Sequence, residues 1–373
     1  MKYLILTDGM YPSTLGGMQK HTYYLVTELL KRGHEVILVL PFKNGVDFTS
    51  GFETYGKRIE FVAIRRPVYR FPLHYLLEEY LYSRSVWKYA DTLSGQAFGG
   101  ILCKGFTSLV RSSKSKLSFK ILVQLHGLEM FQPAFNLKQS IDNFFLRPIA
   151  ARCLHNSDGI LTYGGVIAAL HRRIAGDRKP LFVTHGGVPK EMVLSQPRPT
   201  PKKLNFIFIG RNERRKGIPE LLKATQNLWD KGATFDLHWI GELPPNVIPN
   251  CASFHYHGTI NTAEKYFAIL DKCEVLILSS ISEGFPTVII EAMARGLAIA
   301  ATDVGAIGMA VDENTGWLIP GSRQLEKSIQ TIIDTSSDEI DRRRKGAIAK
   351  IRSEFLWSSI CADFEKYCAL LRP

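Results

Sequence analysis

The apolar positions of the chain fall into short continuous runs and into stretches repeating near helical spacing, with glycine-rich turns between them. Residues 2–7 (Lys-Tyr-Leu-Ile-Leu-Thr) form such a run and predict a buried strand. A loop over 8–17 follows and closes with Gly16-Gly17. Tyr24, Leu25, Leu29 and Leu30 then recur at helical spacing over about 18–32, and Gly33 stops the helix. Residues 35–40 give the next strand. A strand–helix–strand opening implies a parallel sheet with helices on its faces.

The same alternation continues with helices at 73–89, 138–155 and 166–174, and strands at 120–124, 159–162 and 181–184. At 204–209 the opening pattern starts again: a strand, a polar loop over 210–217, a helix over 218–229 and a strand at 235–240. Further strands are predicted at 252–257, 275–278, 297–301 and 316–319, and helices at 262–270, 287–294, 324–334, 338–351 and 357–371. Two such starts, about two hundred residues apart, predict an α/β chain of two similar nucleotide-fold domains. Pro197, Pro199 and Pro201 lie in a stretch poor in apolar residues, which reads as a stiff linker over 189–203. The expected division is an N-terminal domain over 1–190, a C-terminal domain over 204–355, and a terminal helix over 356–373, free to pack back on the first domain.

Composition changes this picture little. A length of 373 residues, 45% apolar and 22% charged, suits two folded domains. No window approaches the ~18 uninterrupted apolar residues of a spanning helix. The N-terminus enters a strand pattern without the zones of a signal peptide. Six scattered cysteines show no metal-ligand pairs or framework spacing, which fits a reduced, cytoplasmic location.

Charge adds more. Residues 1–190 hold 25 Lys and Arg against 13 Asp and Glu, and residues 191–373 hold 22 of each, so the whole excess of +12 lies in the first half. That asymmetry favours an anionic partner: nucleic acid, an acidic membrane surface or an anionic substrate. In the basic region from 43 to 70, Arg65, Arg66 and Arg70 interleave with Val68, Tyr69 and Phe71. It reads either as a surface for lipid headgroups or as a solvated loop beside an ordinary packed helix. The run 342–345 (Arg-Arg-Arg-Lys) reads as a solvated helix face.

Candidate chemistry concentrates in the second half. Residues 282–293 read Ser-Glu-Gly-Phe-Pro-Thr-Val-Ile-Ile-Glu-Ala-Met, directly after the apolar run 275–278. Gly284 and Pro286 mark a turn, with Pro286 suited to the first helical position. A helix start offers unpaired N–H groups to a phosphate, and the flanking Glu283 and Glu291 suit sugar hydroxyls. The loop 210–217 (Gly-Arg-Asn-Glu-Arg-Arg-Lys-Gly) supplies guanidinium and ammonium groups for a diphosphate. In the first half, Leu125-His126-Gly127 closes a strand, where open α/β sheets place ligand contacts.

Gly-Arg…Lys-Gly followed by Glu-Gly-Phe-Pro and, at the matching spacing, a second Glu resembles the retaining glycosyltransferases of family 4. Supporting stretches are Gly16-Gly17, Leu125-His126-Gly127, Asn156-Ser157-Asp158, His185-Gly186-Gly187-Val188 and 302–305. The resemblance implies the GT-B architecture, two facing Rossmann-like domains with an interdomain cleft. It also implies transfer of a sugar from a UDP- or GDP-linked donor to a glycan or lipid-linked acceptor, with no metal or other cofactor required. Carried over by position, Arg211 and Lys216 would neutralise the diphosphate. Backbone N–H groups around Gly284, Phe285, Pro286, Thr287 and Val288 would hold donor oxygens. Glu291 would take the ribose and Glu283 the transferred sugar. Gly16 and Gly17 would approach the diphosphate closely, and His126 would touch the sugar. Arg214 and Arg215 are expected to be solvated, since Arg211 and Lys216 fill the family's positions. A basic first domain would dock peripherally on the inner face of an anionic membrane, in polysaccharide or glycolipid synthesis.

Three departures stand out. His185 and Pro189 replace the family's frequent Asn and Asp. Gly305-Ala306-Ile307-Gly308-Met309 lacks the usual acidic residue, and Gly241-Glu242-Leu243 lacks a second glycine. A GT-B epimerase acting on nucleotide sugars is the nearest enzymatic rival. A nucleic-acid-binding protein is the rival of another class, though no helix-turn-helix, zinc or RNP-type signature is present. The absence of Gly-x-Gly-x-x-Gly after either opening strand argues against a dinucleotide oxidoreductase.

Overall fold

The computed structural model describes residues 1–14, 16–111 and 119–371; residues 372 and 373 of the expected terminal helix lie outside the described set. The chain divides into two units, Met1–Gly186 with Trp357–Pro373, and Gly187–Leu356.

The first unit is built from β1 (Lys2–Leu6), α1 (Gly17–Lys31), β2 (Glu35–Pro41), β3 (Ile59–Ile64), α2 (His74–Ala90), β4 (Gly100–Lys104), β5 (Ile121–Gln124), α3 (Leu137–His155), β6 (Gly159–Thr162), α4 (Gly165–Ala175) and β7 (Leu181–Val183). Its sheet runs β3-β2-β1-β4-β5-β6-β7, and every neighbouring pair is parallel. The order reverses direction between β1 and β4, so the loops leaving those two strands diverge and open a crevice at the carboxyl edge. Two strands had no clear periodic signal. β3 is an edge strand whose residues are only partly buried, and β4 is short and ends on Lys104.

The second unit holds β8 (Leu204–Ile209), α5 (Ile218–Asp230), β9 (Phe235–Ile240), β10 (Phe254–Gly258), α6 (Ala263–Leu270), β11 (Val275–Leu278), α7 (Thr287–Ala294), β12 (Ala298–Thr302), β13 (Gly316–Ile319), α8 (Leu325–Ile333) and α9 (Ser337–Glu354). Its parallel sheet runs β10-β9-β8-β11-β12-β13, with the reversal between β8 and β11. β8 and β11 lie at the sheet centre and are almost wholly buried, which is why both read as continuous apolar runs. The last helix, α10 (Trp357–Leu370), returns to the first unit, where Trp357, Ile360, Cys361 and Phe364 join the core beside Leu25 and Leu29 of α1.

The proline-rich stretch is not a free linker. It belongs to the second unit, where Leu194 N donates to Ala294 O (2.9 Å) and Pro197 lies against Gly296. Arg344, expected on a solvated face, is buried and pins the same stretch, donating to Gly296 O (2.7 Å) and Arg198 O (2.7 Å). The chain's extended path there leaves carbonyls without sheet partners, and a guanidinium with several donors satisfies them. No helix among the described residues is long and apolar enough to cross a membrane.

Candidate active site

In the second unit three loops leave the carboxyl ends of adjacent strands β8, β11 and β12. The first carries a single 3-10 turn, Arg214–Lys216, and delivers Gly217 to the start of α5. The second runs from Ser279 to Pro286, which caps α7 rather than occupying its first turn. Backbone and hydroxyl bonds tie the loops together: Ser279 Oγ donates to Lys216 O (2.8 Å) and Gly217 O (3.0 Å), and Ile281 N donates to Arg215 O (2.7 Å). The third loop supports the second, since Ala306 N donates to Gly284 O (2.9 Å). Gly305 has φ +63, and a Cβ there would sit 2.2 Å from Glu283 O, so the close approach requires glycine.

This scaffold places Glu283 at the centre with its side chain only 5% exposed. Its carboxylate accepts from Lys216 Nζ (2.5 Å), Arg215 Nη1 (3.0 Å) and Ser280 Oγ (2.8 Å). Arg215 also reaches Glu213 (2.6 Å). Arg215, expected to be a solvated residue, is therefore part of the cluster. Arg211 is not: its side chain is 78% exposed and pairs with Glu213 at 3.0 Å. The cause is the 3-10 turn, which folds residues 214–216 back toward β11 and leaves 211 outside it. Glu291 lies one turn into α7, buried, and its carboxylate accepts from Tyr266 Oη of α6 at 2.7 Å. Next to the carboxylates, the first turn of α7 presents the N–H groups of Thr287 and Val288, which precede any intrahelical partner. The cationic side chains and the helix start lie together between two carboxylates, an arrangement able to hold an anion.

In the first unit a buried polar cluster occupies the corresponding edge. His126, just beyond β5, pairs through Nδ1 with the Tyr163 hydroxyl, while its Nε2 has no hydrogen-bond partner among the described residues. Its ring lies 5.5 Å from that of His21. His21 in turn meets Lys104 Nζ at 3.1 Å and Gln124 Nε2 at 3.4 Å. Burial, then the charge of Lys104 and the ring of His21, hold the His126 imidazole well below its usual pKa, so it stays neutral at neutral pH. When the phenol donates to Nδ1, Nε2 carries the proton and is a hydrogen-bond donor. Asp8, at the end of β1, is pushed up to about 6 by burial, which Lys104 and Arg66 partly oppose. Gly16 and Gly17 are exposed at the N-terminus of α1.

Comparison with known proteins bears on both units. Residues 15–191 match the family model "Glycosyltransferase Family 4" and residues 203–336 match "Glycosyl transferases group 1". Together the two matches take in most of the chain. It belongs to the family-4 glycosyltransferases. Among curated relatives of this transferase is the putative colanic acid biosynthesis glycosyltransferase WcaL of Escherichia coli, 23% identical over 257 residues. That match covers 63% of this chain and 61% of the relative. Sucrose-phosphate synthase from Thermosynechococcus elongatus superposes with a TM-score of 0.77 at 17% identity, over 99% of this chain and 98% of its own. HepE of Anabaena, solved with UDP and glucose, gives 0.71 at 16% identity over the whole of both chains. These likenesses establish the GT-B fold for the transferase.

Several residues of the two polar clusters, one in each unit, carried no sequence signal. Arg215 was hidden by a neighbouring basic run, and Tyr266 lies on another helix 25 positions from Glu291. Asp8, His21, Lys104 and Tyr163 meet only because β1, β4, β5 and β6 are spatial neighbours. Of the departures, Gly305 and Ala306 act on the site through backbone contacts, so the missing acidic side chain leaves the turn at Gly284 supported. Leu243, in place of a second glycine, is buried in the core of the second unit.

Proposed function

We propose that this transferase moves a sugar from a UDP- or GDP-linked donor to a glycan or lipid-linked acceptor, with retention at the anomeric carbon, in assembly of a cell-surface polysaccharide or glycolipid. The observation that carries the reading is the buried Glu283–Lys216 pair, joined by half-buried Arg215, beside the start of α7, at the point where the sheet order reverses. Lys216 has three donors, and Glu283 takes one in this structure; the others suit a diphosphate. Arg215 reinforces it, and Arg211, on the rim, closes over the donor from outside. As the bond from the anomeric carbon to the diphosphate breaks, these cations stabilise the negative charge that builds on the leaving group. The acceptor hydroxyl bonds the same carbon from the same face, and its proton passes to the departing diphosphate oxygen. Glu283 holds hydroxyls of the transferred sugar, Glu291 holds the ribose, and neutral His126 donates to the sugar from Nε2. Gly16 and Gly17 leave room for the diphosphate at the first unit's edge. No metal is required in this scheme.

The biosynthetic setting rests on relatives such as WcaL, and the donor class on neighbours such as HepE, whose structures contain UDP and glucose. The net excess of +12 in residues 1–190 supports peripheral association with the inner face of an anionic membrane. A panel of UDP- and GDP-sugars in thermal-shift assays tests the donor assignment, since a ligand of the folded state raises Tm by mass action. One sugar nucleotide is expected to raise Tm in proportion to log concentration. Donor consumption without acceptor, yielding an isomeric nucleotide sugar, would instead support epimerisation. Silence from every nucleotide, with salt-sensitive oligonucleotide binding, would support the nucleic-acid reading.

A finer expectation concerns Tyr266. Its hydroxyl orients Glu291, so Tyr266→Phe is expected to raise donor KM about three- to tenfold while kcat changes by less than about twofold. Steady-state kinetics at varied donor check it; an unaltered KM would detach Glu291 from donor binding.

A further inference from the structure

The first half of α3 is inside out. Leu137, Ile141, Phe144 and Phe145 recur at i, i+4, i+7 and i+8, the spacing of one apolar helix face, yet all four are exposed, Leu137 at 77% and Phe144 at 68%. Asn143 is the residue that this half buries, and the buried apolar positions Ala150, Cys153 and Leu154 all come later. A second apolar segment adjoins it. Tyr75 Oη of α2 donates to Asp142 Oδ1 of α3 at 2.8 Å, and the segment that carries Tyr75 leaves Phe71, Leu77 and Tyr80 exposed, with Val68 exposed at 81%. Nine of the seventeen exposed large apolar side chains among the described residues lie on these two segments. Monomeric surfaces rarely gather apolar groups this way unless something covers them.

Charge identifies what covers them. The carboxylates of the two segments are turned inward: Glu78 accepts from Tyr69 N (2.7 Å), Glu79 pairs with Arg66 (2.5 Å), and Asp142 takes the Tyr75 hydroxyl. Arg65, Arg70, Arg84 and Lys138 remain exposed around the apolar groups. On α2, Leu77, Tyr80 and Arg84 follow i, i+3, i+7, so apolar side chains and a cation share one face. A second copy of the chain would bring cations against cations, which opposes self-association. Lipid headgroups offer phosphates to the cations and an acyl boundary to the aromatic and aliphatic groups.

We propose that α3 and the segment from Arg65 to Arg84 form one docking face that seats the transferase on an anionic bilayer, with Leu137 and Phe144 inserted at the acyl boundary. The proposal rests on the peripheral-membrane part of the function above and names its surface. The test is co-sedimentation of the full chain with vesicles of phosphatidylcholine alone and of phosphatidylcholine mixed with phosphatidylglycerol. Wild-type protein is expected to bind the mixed vesicles and to bind neutral ones far less. Leu137→Ser with Phe144→Ser should weaken binding to mixed vesicles about tenfold or more, and Arg65→Ser with Arg70→Ser comparably. Both pairs are exposed, so matching thermal unfolding curves serve as the folding control. If wild type binds and both variants bind equally well, the face is wrong while membrane association stands. Wild type that binds neither vesicle removes the membrane reading and leaves sugar transfer to be judged by the nucleotide panel. A wild-type dimer that Phe144→Ser dissociates, without vesicle binding, would assign the face to a second copy and overturn the proposal.

Discussion

Lys216→Ala is expected to lower kcat/KM for the donor by about a hundredfold. The ammonium is nearly buried and contacts Glu283 at 2.5 Å, so its loss acts twice. A fixed positive charge disappears from where the leaving diphosphate develops negative charge, and such preorganised groups contribute about 3 kcal/mol in comparable sites. Glu283 is also left in a buried position with Arg215 and Ser280 but without its nearest cation, which costs stability of order 1–3 kcal/mol. The two effects separate experimentally. Turnover at saturating donor reports the first, and the midpoint of urea unfolding reports the second. Lys216→Arg keeps the charge and should recover the midpoint more fully than turnover, because a planar fork on a different stem misplaces the donors. Wild-type turnover in a folded Lys216→Ala protein would remove Lys216 from the chemistry.

Gly217→Ala should be strongly destabilising. Gly217 has φ +64, and a Cβ there would lie 2.0 Å from Ser279 O and 2.9 Å from Ser279 C. Both atoms are backbone, so no side-chain rotation relieves the overlap. The left-handed conformation alone costs an alanine about 1 kcal/mol, and displacing the loop that leaves β11 raises the total to about 3 kcal/mol or more. For a unit of this size that corresponds to a fall in Tm of roughly 6–12 °C. Gly232 supplies the control. Its φ is +85 with nothing within 4 Å of a Cβ, so Gly232→Ala should show the conformational cost alone. Equal melting temperatures for the two variants would show that the Ser279 loop yields freely. Because Ser279 Oγ bonds Lys216 O and Gly217 O, the displacement should also reach Lys216 and reduce turnover.

Legibility of the fold followed burial. β8 and β11, buried on both faces, announce themselves as apolar runs, and α5 carries a clear apolar face. β3 lies at the sheet edge in a basic region, and β4 is only five residues with a buried lysine at its end, so neither departs from its surroundings in periodicity. In the site the same division holds. Glu283 and Glu291 stand out by spacing within one turn-and-helix segment, where local geometry relates them. Arg215 was misjudged because adjacent cations in a loop are indistinguishable until the 3-10 turn selects which of them faces β11.

What periodicity, turn residues and short-range spacing specify is local: two parallel-sheet units, their order of elements, and a glycine–proline turn with a carboxylate on either side. Those features depend on backbone preferences and on burial of faces within single elements, which neighbouring residues encode. The pairings that give the two units their character join distant positions: Lys216 with Glu283, Tyr266 with Glu291, Lys104 with His21, and Arg344 with Arg198. They arise when strand order brings loop ends together and removes water from groups that must then find partners. The outward apolar face of α3 has the same origin, for its spacing predicts a helix either way, and packing of α3 against the sheet turned that face to solvent.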